Sequence, residues 1–310
     1  MASEGRRLPT VSSERDPPVR AAREDLMKIP RNALEYNLPG GNRIRLLALV
    51  QTYELLAGDN APFLHEACLV GWCMELMCSG LLVLDDIMDK SLERRGRPCW
   101  YTRPDVGLHA INHALFMDKA VGFVLKQRLR SMPCYTALLE LFHEAELRCV
   151  LGQELDAISV MAKEGQQRPS IDRYWATVDF KTSFNAFLLP IRVGMLLAGV
   201  EDSLLHEQVK APALHLGRLH QVRNDYIDCY STPGHPSKMG TDIVEGKCSW
   251  LLLTALDLAS PEQAQRIQCW THTPIDEVTD KELVSATGLC RQNGETSING
   301  AQRVAYVKQS

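Results

Sequence analysis

The chain lacks the alternation of apolar and polar residues that marks β-strands, and without it a sheet-based core has nothing to be built from. No pair of cysteines has the Cys-x-x-Cys spacing of a zinc or dithiol site. Cys68, Cys73, Cys78, Cys99, Cys134, Cys149, Cys229, Cys248, Cys269 and Cys290 are scattered, as reduced and mostly buried thiols would be. There is no basic excess either. Lys and Arg total 34 against 38 Asp and Glu, a net charge of −4, which removes the electrostatic reason to expect a nucleic-acid partner. No apolar run reads as long and charge-free enough to span a bilayer, so no stable membrane insertion is expected. Residues 1–23 have no apolar core and mix Arg6, Arg7, Arg15, Arg20 and Arg23 with Glu4, Glu14 and Asp16, unlike a secretory signal or an acid-poor mitochondrial presequence. The expectation is a flexible N-terminal segment ahead of a soluble, cytoplasmic protein.

A hydrophobic share of 45% over 310 residues suffices for a sizeable core. From about Glu24 the period is helical: Leu46, Leu47, Val50, Tyr53 and Leu56 recur at steps of three and four, and similar periods fill most of the next two hundred residues. Pro39-Gly40-Gly41, Pro104 to Gly107, Pro133 and Ser231 to Pro236 punctuate them as inter-helix loops do. There is no internal repeat and no low-complexity segment. The pattern predicts an all-α fold, a single domain over residues 24–310.

Two of these helices end in acids. Cys68 to Leu84 is apolar nearly all round, as in the central helix of a bundle, and runs into Asp85-Asp86-Ile87-Met88-Asp89. A second helix, about Ala213 to Cys229, has Leu214, Leu216, Leu219, Val222, Tyr226 and Ile227 as apolar positions and ends in Asn224-Asp225-Tyr226-Ile227-Asp228. The macrodipole is negative at a helix C-terminus and repels carboxylates, so cations must compensate. Residues four apart share a helix face, which lets Asp85 and Asp89 grip one cation cluster while Asn224 and Asp228 grip another across a cleft, with Asp86 in support. Hard oxygen ligands of this kind select magnesium. For an isolated trio, ion pairs to Arg94 and Arg95 would be the simpler account; two such helix ends favour a shared metal site.

The stretch Asp85 to Tyr101, DDIMDKSLERRGRPCWY, and the stretch Gly240 to Trp250, GTDIVEGKCSW, resemble motifs of the trans-isoprenyl diphosphate synthases, and in detail those of animal farnesyl diphosphate synthases. Phe180-Lys181-Thr182 and Gly152-Gln153-Glu154-Leu155-Asp156 match two further landmarks, and the similarity runs from about Glu24 to Arg266. The resemblance implies about ten helices around a deep apolar pocket, a homodimer, and magnesium, three ions per site, joining the acids to a prenyl diphosphate. Arg94, Lys181 and Lys238 would hold its phosphates with Lys247 beyond them, Asp156 and Asp242 would support the charges, and Gln221 would neighbour the second motif. Magnesium would then let the carbon–oxygen bond of an allylic substrate ionise, and the apolar pocket would protect the cation.

The departures gather at the acceptor site, where the synthases hold isopentenyl diphosphate without metal. The lysine expected after Pro39-Gly40-Gly41 is Asn42, although Arg45 and Arg95 remain and Arg43 is at hand; a Gln is replaced by Cys78 and a Phe by His220. Losing one charge-assisted phosphate contact costs about 1.5–3 kcal/mol, one to two decades of affinity. Asn224 in place of Asp resembles the metal motif of class I terpene synthases, although Thr232 stands where that motif has Glu. Leu81 and Gly80 occupy the pocket-floor positions, so that either the cavity is long enough for a fifteen-carbon chain or Gly80 permits close helix packing. After Trp270 the likeness stops, and residues of about 270–310 read as divergent and short of the family's basic tail.

The reading is therefore a class I terpene synthase that ionises farnesyl diphosphate to a sesquiterpene, with Asp85, Asp89, Asn224 and Lys181 at the chemistry and Arg94, Arg95, Gln221, Lys238, Lys247, Gly80 and Leu81 against the substrate. Its alternatives are a prenyltransferase making geranyl or farnesyl diphosphate, and an inactive partner of an active synthase.

Overall fold

A computed structural model describes residues 28, 30–160, 170–230, 242 and 247–265. Lys238 and Thr232, and with them the C-terminal divergence expected after residue 270, lie outside these residues. The architecture is all-α: α1 (residues 30–37), α2 (Ile44–Ala57), α3 (Leu64–Met88), α4 (Ala110–Leu129), α5 (Tyr135–Val160), α6 (Ile171–Val178), α7 (Leu189–Leu197), α8 (Ser203–Gln208), α9 (Lys210–Tyr230) and α10 (Trp250–Leu258). Among the described residues the only strands are β1 (Glu93–Arg94) and β2 (Arg97–Pro98), an antiparallel hairpin in which Arg94 faces Arg97. Arg95 (φ 56°) and Gly96 (φ 70°) are both left-handed, as a two-residue turn of type I′ requires.

α3 is the axis. It packs between α2 and α4, and Met74 and Met77 join Leu49, Tyr53, Leu125, Leu138 and Phe142 in one core. By length and a mean hydropathy of 1.9, α3 is apolar enough to cross a membrane, against the expectation that no such run exists. Its residues are apolar because they fill the bundle: 61% of that window is buried against protein.

α6 and α7 form one continuous helical rod whose middle, Asp179–Leu188, is π-helical. That wider turn carries Lys181 and Thr182, and such bulges re-aim side chains at functional sites. Glycine lets the neighbours approach it. A Cβ on Gly152 of α5 would lie 2.5 Å from the backbone nitrogen of Lys181, and one on Gly217 of α9 would collide with Ser183.

Close approach at Gly217 also explains where the predicted stripe on α9 differs. Leu216 and Leu219 are 49% and 66% exposed, and Tyr226 is exposed too. The face turned inward carries Ala213, Gly217, Gln221, Asp225 and Asp228, small and polar residues that an apolar count does not register. Gly80 resolves in favour of packing: its Cβ would meet the Ala114 carbonyl at 2.9 Å and Met117 Cβ at 3.3 Å, so the glycine seats α4 against α3. Leu81 is half-buried against the core that holds Met74 and Met77. The argument for a longer substrate from an opened pocket floor loses its footing here.

Candidate diphosphate site

The carboxylates that close α3 are each met by a cation from another element. Asp85 accepts from Arg94 Nη2 at 2.7 Å and faces Lys181 Nζ at 3.0 Å; Asp89 accepts from Lys247 Nζ at 2.6 Å. Arg94 comes from the hairpin and Lys181 from the π-helical turn, while Lys247 precedes α10, so three segments far apart in sequence converge on one helix end. Burial alone would push the Asp85 carboxyl up, but Lys181, Arg94 and Lys247 overcome it and hold the group well below the usual carboxylate range. Burial works against the Lys181 ammonium in turn, and Asp85 with Asp156, 2.7 Å away, raises its pKa regardless.

Asp86 is placed otherwise. One step on from Asp85 along the helix, it is buried and accepts from Arg94 Nε at 2.6 Å. Its burial raises its pKa against the pull of Arg94. The geometry makes it the anchor that orients the guanidinium, with Asp85 on the second branch of the same fork.

The second acidic cluster divides in the same way. Asn224 is exposed, and Asp228 is buried and accepts from the Asp242 backbone N–H at 3.3 Å. Asp242 in turn lies 3.8 Å from Lys247 Nζ, so that Asp89, Lys247, Asp242 and Asp228 form a chain linking the two helix ends. Asp225, which the spacing argument passed over, accepts from Tyr174 Oη at 2.8 Å, the Trp250 backbone N–H at 2.8 Å and Gln221 Nε2 at 2.9 Å. Burial outweighs these donors and pushes its carboxyl up to about 6. Tyr174, buried beside it, is pushed up as well, first by burial and then by the Asp225 charge. Gln221 and Asp225 are four apart and share a face, a signal the sequence carried. Gln221 also accepts from Thr182 Oγ1 at 3.0 Å, which ties α9 to the turn that carries Lys181.

Among the described residues, no three His, Cys, Asp or Glu side chains converge closely enough to enclose a metal ion. The donor chemistry nonetheless fits magnesium: Asp85 and Asp89 are oxygen ligands four apart on one helix end, and Asp85 is held ionised. Their present partners are protein cations of the kind that hold phosphate oxygens.

Beside the Pro39-Gly40-Gly41 turn, Asn42 is exposed and its Oδ1 accepts from the Ile44 N–H at 3.2 Å, serving α2. Arg45 Nε donates to Asn185 Oδ1 at 3.3 Å. Arg95 Nη1 donates to the Pro39 carbonyl at 3.2 Å, its guanidinium lying over Gly40 and Gly41, where a Cβ on Gly41 would come within 2.9 Å of Nη2. Arg43 Nη2 donates to the Leu38 carbonyl at 2.5 Å, and its Nη1 lies 3.5 Å from Glu75. Cys78 is buried, and half-buried His220 has its pKa lowered by burial, then by Arg45 and Arg223.

In this all-α bundle three basic side chains gather on the acidic end of α3, beside a second acidic helix end, an arrangement whose chemistry suits a divalent cation and a diphosphate. Residues 27–286 match the polyprenyl synthetase family, and the chain belongs to it. It is similar to the farnesyl pyrophosphate synthase of Gallus gallus, 40% identical over 265 residues that span 84% of this chain and 72% of that protein. The Saccharomyces cerevisiae farnesyl pyrophosphate synthase is 39% identical over 242 residues, 76% of this chain and 69% of the relative. Among solved structures, T. brucei farnesyl diphosphate synthase complexed with risedronate superposes with a TM-score of 0.80 at 27% identity, covering 92% of this chain and 83% of that one.

Proposed function

We propose that this chain ionises an allylic prenyl diphosphate with magnesium and works as a class I terpene synthase, farnesyl diphosphate being the substrate, on the likeness to farnesyl diphosphate synthases and not on the pocket floor, and a sesquiterpene with diphosphate the products. Magnesium, when bound at Asp85 and Asp89, supplies the electron withdrawal that weakens the carbon–oxygen bond. Arg94 and Lys181 bind and orient the diphosphate, Asp86 and Asp156 hold those two cations in place, and Lys247 serves from the far side. Asn224 and Asp228 would complete the metal site from α9, and three ions per site belong to this reading.

The observation that carries the single-substrate reading is the acceptor side. Where a lysine would meet the second diphosphate, Asn42 turns its side chain to its own helix N-terminus, and Arg43 beside it pairs with Glu75. The names of the relatives support the second reading, prenyl transfer to isopentenyl diphosphate, better than the first, and Arg45 and Arg95 are retained for it. Purified protein with magnesium and farnesyl diphosphate alone is expected to release diphosphate and a volatile hydrocarbon or alcohol, read by mass spectrometry across a panel of ten- and fifteen-carbon substrates. Chain elongation on adding isopentenyl diphosphate, with no volatile product, would establish the second reading instead.

A homodimer is part of the proposal. α4 exposes Ile111, Leu115 and Phe123, and α5 exposes Leu147, Val150, Leu151 and Ile158, apolar positions at helical spacing that a second copy would cover. Sedimentation at micromolar concentration should give twice the chain mass; a single-chain mass would remove this element of the reading.

A further inference from the structure

Glu75 sits in the middle of α3, 4% exposed, with the buried apolar residues Cys73, Met74, Met77 and Cys78 around it on the helix. A carboxylate so placed is retained only with a cation beside it. That cation is Arg43, whose Nη1 stands 3.5 Å from Glu75 Oε2 and whose guanidinium lies over the Trp72 ring at 5.1 Å, one turn away on the same helix. The Leu38 carbonyl takes Arg43 Nη2. Arg43 adopts this pose from a left-handed backbone (φ 54°), a conformation that disfavours residues with a Cβ and that persists where the surroundings fix it. Glu75 Oε1 is buried with no hydrogen-bond partner, so the carboxylate has capacity left for a second cation. Arg95, the other guanidinium at this corner, feels the charges of both Arg43 and Glu75.

We propose that Glu75 is a specificity-determining residue of the acceptor side: it holds Arg43 as an internal ion pair, so that Arg43 does not replace the lysine charge absent at Asn42. An incoming homoallylic diphosphate must then compete with a resident carboxylate for Arg43, or bind through Arg45 and Arg95 alone. The inference rests on the acceptor side lying at Asn42, Arg45 and Arg95, as the proposed function does, and it deepens that reading. It is independent of whether the allylic cation ends as a hydrocarbon.

Isothermal titration of the 310-residue chain with isopentenyl diphosphate tests it, in an Asn42→Lys background that supplies measurable affinity. Adding Arg43→Met should leave Kd within about threefold, because that arginine is engaged elsewhere. Adding Glu75→Gln should tighten binding about tenfold, ~1.4 kcal/mol, by releasing Arg43. A tenfold loss with Arg43→Met, or no tightening with a folded Glu75→Gln, overturns the proposal. Should either single variant fail to fold, the double variant Arg43→Met/Glu75→Gln, which removes both charges of the pair together, decides: it should bind within about threefold of the Asn42→Lys background, and a tenfold loss overturns the proposal. The wild-type titration separates the two ideas: tight acceptor binding with elongated product defeats the single-substrate reading, while the Arg43→Met arm still judges the role of Glu75.

Discussion

Replacing Asp85 with alanine is expected to lower turnover of an allylic prenyl diphosphate by at least about a thousandfold, ~4 kcal/mol of transition-state stabilisation. Two effects act together. Asp85 is the carboxylate at which Lys181, from the π-helical turn, and Arg94, from the hairpin, meet, at 3.0 and 2.7 Å. Its ionised state is secured by those cations against burial, so it is an anion of fixed charge for a divalent ion to displace them onto substrate. Under the proposed function its removal takes a hard ligand from magnesium, and of its two described carboxylate partners Lys181 keeps Asp156. The measurement is single-turnover release of diphosphate from farnesyl diphosphate under saturating magnesium, with far-UV circular dichroism confirming the helical fold. A variant retaining more than a tenth of the wild-type rate would mean that the chemistry does not run through the end of α3. Because the expected loss is in the chemical step, it should persist at saturating substrate, whereas loss of a simple binding contact would be recovered there.

How far the sequence reveals this site depends on which physical signal each residue leaves. The end of α3 is legible because an apolar helix terminating in acids contradicts its own macrodipole, and the contradiction demands cations. The identity of those cations is partly legible: Arg94 and Lys181 lie in motifs, and the structure brings both to Asp85. The division of labour within each cluster is not. Asp86 and Asp225 read as ligand neighbours or are passed over, yet both are buried and spent on protein donors, Arg94 in one case and Tyr174, Gln221 and Trp250 in the other. A one-residue step along a helix turns a side chain through about 100°, and composition cannot say which of two adjacent acids faces the cleft. The stripe on α9 fails for a related reason. Periodicity assumes that the inward face is apolar, whereas here it is small and polar to admit the π-helical turn, and Leu216 and Leu219 point outward. Gly80 shows the same limit, since a glycine that opens a cavity and one that admits a neighbouring helix look identical in sequence.

Asp225→Ala should cost about 3 kcal/mol or more of folding stability, the largest effect on the fold expected from a single change near the site. The carboxylate accepts from the Tyr174 hydroxyl on α6, the Gln221 amide within α9 and the backbone N–H that opens α10. Truncation leaves these donors facing a cavity, and an orphaned buried donor costs roughly 1–3 kcal/mol, with the losses less than additive because the groups share one acceptor. The damage should be local as well as global. α10 is joined to α9 and α6 at this corner, and Lys247, three residues before Trp250, is the partner of Asp89. Loosening α10 therefore loosens a cation at the candidate diphosphate site. Urea denaturation should show the midpoint falling, and hydrogen exchange should show protection lost first across residues 247–258. Asp225→Asn, which keeps one acceptor oxygen, should retain part of the stability. If alanine and asparagine are both neutral, or if exchange rises uniformly with no focus on α10, Asp225 is not the pin that fastens this end of the bundle to the catalytic face.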